Sequence, residues 1–106
     1  MSRQEKRTVT NSKQHRRDQL GIIANILENT LQSQGLLKTQ IMYRANLSFW
    51  QLNEYLKFLL ETDLITQTNV EGREVYLITA KGLGFLRRHR ELKKMLDNHE
   101  NYKIPA

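Results

Sequence analysis

The residues that could support catalysis or metal binding do not form a recognisable set. His15, His89 and His99 are far apart in the sequence, and none has a histidine or cysteine three or four residues away. Cysteine is absent, which excludes a disulfide framework and a thiolate metal site. No serine, histidine and acid arrangement suggests a nucleophile, and Gly82 and Gly84 belong to a predicted helix start rather than to a phosphate-binding loop. We therefore predict that the protein is not an enzyme and uses neither a cofactor nor a metal.

A second set of residue types, between residues 38 and 62, is suited to contact with double-stranded DNA. Gln51 and Asn53 carry amides, which can form two hydrogen bonds with an adenine in the major groove, and Arg44 can neutralise a phosphate. Trp50 could pack on sugars or thymine methyl groups, or against a partner subunit. The residues predicted to bind DNA are Thr39, Gln40, Tyr43, Arg44, Ser48, Trp50, Gln51, Asn53, Lys57 and Arg73.

Two acidic residues stand against that interpretation. Glu54 and Glu61 fall on the same side of the predicted helix as Trp50 and Lys57. Their carboxylates would repel phosphates unless Lys57 or Arg44 paired with them. A solvated face that binds no ligand is therefore a competing interpretation of this surface.

A helix-turn-helix is the element that would position these side chains. Thr39 is predicted to cap the second helix, residues 46–48 to form the turn, and Ser48 with Gln51 to form a capping box at the start of the third helix. Ile41, Met42 and Ala45 are predicted to face inward from the second helix. The third helix is expected to bury Phe49, Leu52, Leu56, Leu59 and Leu60, which lie within about 80° on a helical wheel. In such a pair the second helix is the one that enters a major groove.

The elements on either side complete a small domain. A first helix is predicted over residues 16–34 from the apolar spacing of Leu20, Ile23, Ile26, Leu27 and Leu31, with Gly35 ending it. Residues 64–68 and 74–79 alternate as two strands around a loop at 69–73, which indicates a hairpin. A hairpin directly after a helix-turn-helix is the wing of a winged-helix domain, and residues 36–38 could pair with its edge.

The last predicted helix covers residues 80–99 and is capped by Thr79. Gly82 and Gly84 in its first turns each cost up to about 1 kcal/mol relative to alanine, and close approach to the domain body would compensate. A short pattern of residues seven apart favours a dimer helix, and packing of the helix on its own domain is the alternative. The residues predicted to form the dimer contact are Phe85, Leu92, Met95, Leu96 and His99.

The charge of the chain is concentrated in two blocks. The 106 residues carry a formal net charge of +6, of which residues 1–17 and 81–94 each contribute +5, while residues 18–80 are slightly acidic. This distribution favours a polyanionic partner. Residues 1–14 are predicted to form a disordered basic arm, which could follow the phosphate backbone, enter a minor groove or remain a solvated tail. The further divisions are a winged helix-turn-helix domain at 15–80, a dimerisation helix at 81–100 and a flexible tail at 101–106.

Four segments of the sequence resemble a known family. They are Arg16-Arg17-Asp18, Thr39-Gln-Ile-Met-Tyr-Arg-Ala-Asn-Leu-Ser48, the run from Tyr55 to Leu60 and the run from Leu77 to Gly82. These look like small archaeal winged-helix proteins, a group that includes transcriptional regulators and the dimeric DNA-binding chromatin proteins of Sulfolobus. The resemblance implies a winged-helix fold, a C-terminal helix that pairs with its twin as an antiparallel coiled coil, and DNA binding by the dimer in an archaeal cytoplasm.

The sequence thus predicts an α+β protein, mostly α, with a winged helix-turn-helix and a C-terminal helix used for dimerisation. Its expected partners are double-stranded DNA and a second copy of the chain, as a transcriptional regulator or a nucleoid protein. No run of 18 apolar residues and no signal peptide is present, so we expect a cytoplasmic, nucleoid-associated protein with no membrane partner. The alternative is a protein–protein interaction module whose DNA affinity is non-specific and resides in the basic tail.

Overall fold

The computed structural model describes residues 18–97, which form four helices and one three-stranded antiparallel sheet. The elements are α1 (Gln19–Gln32), β1 (Leu36–Leu37), α2 (Lys38–Ala45), α3 (Phe49–Glu61), β2 (Ile65–Val70), β3 (Arg73–Ile78) and α4 (Ala80–Asp97). The predicted mostly helical α+β fold class is confirmed. The predictions for the basic arm at 1–14, for His99 and for the tail at 101–106 lie outside the described residues.

Helix α1 begins later and ends earlier than predicted. Asp18 is its N-cap, and the Asp18 carboxylate accepts a hydrogen bond from the Gly21 backbone N–H at 2.7 Å. The predicted residues Ile23, Ile26 and Leu27 are buried, whereas Leu20 in the first turn is 57% exposed. The chain leaves the helix through Gln34 and Gly35, both of which have positive φ.

One hydrophobic core joins the sheet and all four helices, with Leu86 as the contribution of α4. Its fully buried apolar side chains are Ile26, Leu27, Ile41, Leu52, Leu59 and Ile65. Burying one such side chain typically stabilises a fold by about 1.5–3 kcal/mol. Thr30 is the buried polar side chain among the described residues, and its hydroxyl donates to the Leu27 carbonyl at 2.8 Å. The core therefore fixes α3 against α1 and α2.

The sheet has the strand order β1-β3-β2, so the short strand β1 pairs with the hairpin as predicted. Leu36 lies opposite Tyr76 in β3, and the hairpin register runs from Ile65 opposite Ile78 to Val70 opposite Arg73. The loop is shorter than the predicted residues 69–73. Glu71 and Gly72 alone make the turn, with φ of 51° and 81°, which suits the right-handed twist of a tight hairpin.

Gly35 is required where the chain passes from α1 into β1. Its φ is +114°, and a Cβ at this position would lie 2.9 Å from both Leu77 Cδ2 and Val75 Cγ1. A side chain would therefore meet both a strained backbone and the hairpin. This close passage sets where β1, and after it α2, can begin.

The prediction that Thr39 caps the second helix is wrong. Helix α2 starts at Lys38, and the Gln40 side chain accepts a hydrogen bond from the Leu37 backbone N–H at 2.9 Å. Pairing of β1 with β3 holds Leu37 in an extended conformation, so the helix begins directly after it. Ile41 and Ala45 are buried and Met42 is partly buried, as predicted. Asn46 ends the helix in the left-handed conformation with φ 57°.

The predicted start of the third helix is confirmed, but one of its predicted core residues is not. Ser48 caps α3, and Leu52, Leu56 and Leu59 are buried. Phe49 is 63% exposed rather than inward-facing. It is the first residue of α3, and its ring lies at the surface beside the Lys38 ammonium. Leu60 is partly buried against the core.

Helix α4 is fastened to the domain at its N-terminus. Thr79 accepts a hydrogen bond from the Gly82 backbone N–H at 3.0 Å, which confirms the predicted cap, and its hydroxyl lies 2.6 Å from the Asp63 carbonyl. A Cβ on Gly82 would overlap the Leu64 carbonyl oxygen and lie 2.7 Å from Ile78 Cγ1, so the predicted close approach is confirmed there. At Gly84 it is wrong, because a Cβ would meet only the end of its own helix's Arg88 side chain at 3.5 Å.

Candidate nucleic-acid interface

The start of α3 presents several predicted site residues to solvent. Ser48, Trp50 and Gln51 are exposed there, while Asn53 is half-buried. The Trp50 side chain is 71% exposed, which confirms its predicted outward position. Four predicted site residues therefore lie on one short length of chain at the start of α3.

The two glutamines predicted to touch DNA also serve as helix caps. Gln51 Oε1 accepts a hydrogen bond from the Ser48 backbone N–H at 3.0 Å, and Gln40 Oε1 accepts one from the Leu37 N–H at 2.9 Å. A bidentate contact with adenine needs a glutamine oxygen and nitrogen together. To contact adenine in this way, Gln51 Oε1 would accept hydrogen bonds from both the Ser48 N–H and the base, or would lose its hydrogen bond with Ser48.

The outer face of α2 carries the predicted phosphate-binding side chains. Thr39, Gln40, Tyr43 and Arg44 are all exposed. Arg44 Nη1 donates to Ser33 Oγ at 2.6 Å, a contact that directs the guanidinium toward the end of α1. The guanidinium keeps further N–H groups that can reach a phosphate, because arginine has five donors.

An aromatic–cation contact joins the starts of α2 and α3. The Lys38 ammonium lies 5.2 Å from the centroid of the Phe49 ring, within the range of a cation–π interaction. Neither residue was among the predicted site residues, because the apolar period of α3 assigned Phe49 to the core. The exposure of Phe49 could have been expected from its position directly after the Ser48 cap. At the first residue of a helix, a side chain on the inward side of the helical wheel is not always covered by another element.

The acidic residues of α3 are not neutralised by the two cations that could have paired with them. Glu54, Lys57 and Glu61 are exposed, and within residues 18–97 no ion pair connects Glu54 or Glu61 to Lys57 or Arg44. Within residues 18–97, Arg90 of α4 instead forms an ion pair with Glu28 of α1, with 2.6 Å between Arg90 Nη2 and Glu28 Oε1. The far half of α3 is thus acidic on its solvent side.

The wing presents one of the predicted contacts. Arg73 is exposed at the start of β3, and the tight turn before it is closed by Asn69 Oδ1, which accepts from the Gly72 N–H at 3.0 Å. Glu71 and Glu74 are also exposed beside Arg73. The tip therefore offers a single cation between two carboxylates.

Helix α4 separates into a packed half and an exposed half. Phe85 packs on the core and stacks on His89 with ring centroids 6.2 Å apart. Leu92, Met95 and Leu96 are 61%, 63% and 68% exposed. Exposed basic side chains also lie along the helix, at Arg87, Arg88, Arg90, Lys93 and Lys94. Phe85 is thus partly buried against the core while Leu92, Met95 and Leu96 are exposed, and Phe85 and Leu92 border a common cleft. The role of these residues in a dimer contact remains a prediction.

With this geometry established, a comparison with known families decides the assignment of the chain. A model of winged helix-turn-helix domains matches residues 16–97, which contain every element described above. The chain belongs to the winged helix-turn-helix family. Within residues 18–97, no group of three or more histidine or acidic side chains is placed to hold a metal ion, and no helix is both long and apolar enough to cross a membrane.

An archaeal protein is similar in sequence to this winged helix-turn-helix chain. It is an uncharacterised protein of Methanocaldococcus jannaschii, 33% identical over 81 residues. The match covers 76% of this chain but only 36% of the relative, so the chain spans about a third of the length of the curated relative it matches.

Solved structures share the fold. Sso10a-2, described as a DNA-binding protein from Sulfolobus solfataricus, superposes with a TM-score of 0.69 at 24% identity, covering 80% of this chain and 87% of that one. ZitR from Lactococcus lactis, described as a zinc-responsive MarR family member, gives a TM-score of 0.56 at 19% identity, covering 95% of this chain and 66% of that one. These likenesses establish the winged-helix architecture.

Proposed function

We propose that the protein binds double-stranded DNA as a homodimer, with the start of α3 in the major groove. The observation that carries the proposal is the position of Ser48, Trp50 and Gln51. They are exposed together on the first turn of the second helix of a helix-turn-helix, where winged-helix and related proteins meet base edges. The description of the similar Sulfolobus structure as a DNA-binding protein supports the proposal.

Separate elements contribute separate contacts. Helix α2, through Thr39, Gln40, Tyr43 and Arg44, binds phosphates on one side of the groove, and Arg73 on the wing binds the backbone on the other. Lys57 adds one phosphate contact. Because α3 and the wing are partly acidic, most of the non-specific attraction comes from the basic arm at residues 1–14 and the basic side chains of α4.

The dimer is formed by the exposed half of α4. Leu92, Met95 and Leu96 present an apolar surface beyond the point where the helix leaves the core. Burial of these side chains against a second copy would stabilise the pair by removing apolar area from water. In this proposal residues 15–80 are the DNA-binding unit and residues 81–100 the dimerisation helix.

A salt titration tests DNA binding. A fluorescently labelled duplex is titrated with the full chain at several KCl concentrations, and the logarithm of the association constant is plotted against the logarithm of salt. Each phosphate neutralised contributes a slope of about −0.9, so a steep negative slope is expected. Absence of binding to any duplex at low salt would contradict the proposal. Genome-wide occupancy then separates a regulator with sharp sites from a nucleoid protein with broad coverage.

The solvent face of α3 favours a second candidate function. Trp50 and Phe58 are exposed beside Glu54 and Glu61, a combination suited to docking another protein. In that case DNA affinity would reside in the basic arm alone. Deletion of residues 1–14 discriminates: complete loss of DNA binding favours the interaction module, and retained, weakened binding favours the groove-binding helix.

A further inference from the structure

We propose that a cleft between α1 and α3 binds a small organic cation of the quaternary-ammonium class. The cleft has a volume of about 420 Å³, which falls within the range of small-molecule sites. Its walls are Gln19 and Ile23 from α1 and Trp50, Glu54, Tyr55 and Phe58 from α3. The cleft shares Trp50 with the proposed DNA contact, and its test uses the protein without DNA.

The spacing along α3 brings aromatic rings and a carboxylate to one wall. Trp50, Glu54 and Phe58 are four residues apart, so they lie on successive turns of the same side of the helix. Tyr55 follows Glu54 and completes a set of three aromatic side chains in the cleft. Ring faces carry negative electrostatic potential and attract cations within about 6 Å, most strongly at tryptophan.

The Glu54 carboxylate favours a positively charged ligand in the cleft. Glu54 is exposed, and within residues 18–97 no side chain forms an ion pair with it. A carboxylate in the recognition helix repels DNA phosphates, so its presence does not serve the proposed groove contact. Beside three aromatic rings it instead selects a positively charged ligand.

The apolar lining of the cleft favours an organic cation over an inorganic one. Hard inorganic cations prefer several oxygen ligands, whereas this cleft is lined largely by ring and aliphatic carbon, including the side chain of Ile23. A quaternary ammonium group is weakly hydrated and presents methyl groups around its charge. It can therefore contact the rings without the desolvation cost of a primary ammonium, while Glu54 balances the charge.

The rings of Trp50 and Phe58 are only partly covered by the rest of the domain. The side chains of Trp50 and Phe58 remain 71% and 46% exposed, although neighbouring Leu52, Leu56 and Leu59 are buried. A ligand between α1 and α3 would cover these rings. The same placement puts the ligand beside Gln51, which also borders the cleft.

Tryptophan fluorescence tests the site directly, because Trp50 is the single tryptophan of the chain. The full-length protein is titrated with choline at constant ionic strength, with KCl as the replaced salt. We expect a saturable change in emission and no saturable change with 3,3-dimethylbutan-1-ol, the neutral analogue of the same shape. Calorimetry with choline gives an independent dissociation constant.

Three variants with verified helical circular dichroism locate the bound cation. Glu54→Gln should weaken choline binding by about tenfold and Phe58→Leu by severalfold, in line with cation–π and charge contributions at partly exposed sites. Glu61→Gln removes an exposed carboxylate of the same helix outside the cleft and should leave the affinity unchanged. Equal responses to choline and its neutral analogue, or unchanged affinity in Glu54→Gln, would overturn the proposal. So would the absence of any saturable signal.

Discussion

Ser48 and Gln51 hold each other at the start of α3 through two reciprocal hydrogen bonds. The Gln51 N–H donates to Ser48 Oγ at 3.1 Å, and the Ser48 N–H donates to Gln51 Oε1 at 3.0 Å. Both side chains are also predicted to contact DNA. The residues that cap the helix are therefore the same ones that are predicted to contact base edges. Their effect on stability can be separated from their effect on DNA recognition by comparing two substitutions at one residue.

Gln51 gives the first such separation. Gln51→Glu keeps an acceptor for the Ser48 N–H, so its thermal midpoint should stay close to that of the wild type, whereas Gln51→Ala should lose about 0.3–1.5 kcal/mol of stability. On DNA, Gln51→Ala should cost roughly 1–3 kcal/mol at a preferred site and almost nothing on random duplex. Equal losses on both duplexes would show that the amide does not read bases.

Arg44 is expected to act on every sequence alike. Arg44→Ala removes one phosphate contact, so binding should weaken uniformly and the salt slope should decrease by about one. Ser33→Ala is the matched control, because it removes only the hydroxyl that Arg44 contacts at 2.6 Å. An unchanged slope in Arg44→Ala would exclude a phosphate contact at this residue.

Gly82 and Gly84 should respond oppositely to alanine. In Gly82→Ala the new Cβ overlaps the Leu64 carbonyl, and we expect a loss of about 1–3 kcal/mol in the free energy of unfolding. In Gly84→Ala the Cβ meets only the Arg88 side chain, so the helix propensity of alanine should add about 0.5–1 kcal/mol. Urea denaturation of both variants measures this. A destabilised Gly84→Ala would contradict the assigned packing of α4.

The dimer prediction concerns the exposed end of α4. Leu92→Asp combined with Met95→Asp should give a monomer of 12.6 kDa by light scattering, because two buried carboxylates would destabilise the contact between copies. Thr66→Asp combined with Thr68→Asp places the same charges on exposed residues of β2 and should leave the mass unchanged. A wild-type monomer at micromolar concentration would refute the dimer.

Tyr76 makes stability sensitive to alkaline pH. Burial raises the pKa of the Tyr76 phenol above 10.0, and the nearby Glu74 carboxylate adds to the effect. The folded state thus favours the neutral phenol, so this contribution is complete below pH 10.0 and is lost as pH rises through the raised pKa. Tyr76→Phe should flatten the fall in stability above pH 10.0, measured by urea denaturation across pH. If Tyr76→Phe loses stability at alkaline pH as steeply as the wild type, the loss arises from groups other than Tyr76.

The features predicted correctly from sequence are those set by residues close together in the chain. The Ser48 cap, the Asn46 turn and the Thr79 cap each depend on a side chain and a backbone group within a few residues. The hairpin followed from alternation and the glycine at its tip. Local chemistry was sufficient for all of them.

The errors arise where distant parts of the chain meet. Thr39 was a plausible cap, but pairing of β1 with β3 places the cap at Leu37, so the helix starts two residues earlier. Helical period gives the direction of Phe49 and Leu20 around an axis, but not whether another element covers them at that point along it. The cleft beside Trp50 was not predicted either, because one of its walls belongs to α1, at Gln19 and Ile23.

The junction between the wing and α4 has a consequence for the geometry of a binding site on DNA. The Thr79 hydroxyl donates a hydrogen bond to the Asp63 carbonyl, and Lys81 Nζ donates one to the Thr62 carbonyl at 2.7 Å. Gly82 also lies against the Leu64 backbone, so α4 leaves the domain in a fixed direction. In a dimer joined through α4, the separation of the two α3 helices would then be set by rigid parts. Such a dimer should tolerate a change of base between its half-sites but not the insertion of five base pairs, which would turn one half-site to the opposite side of the duplex.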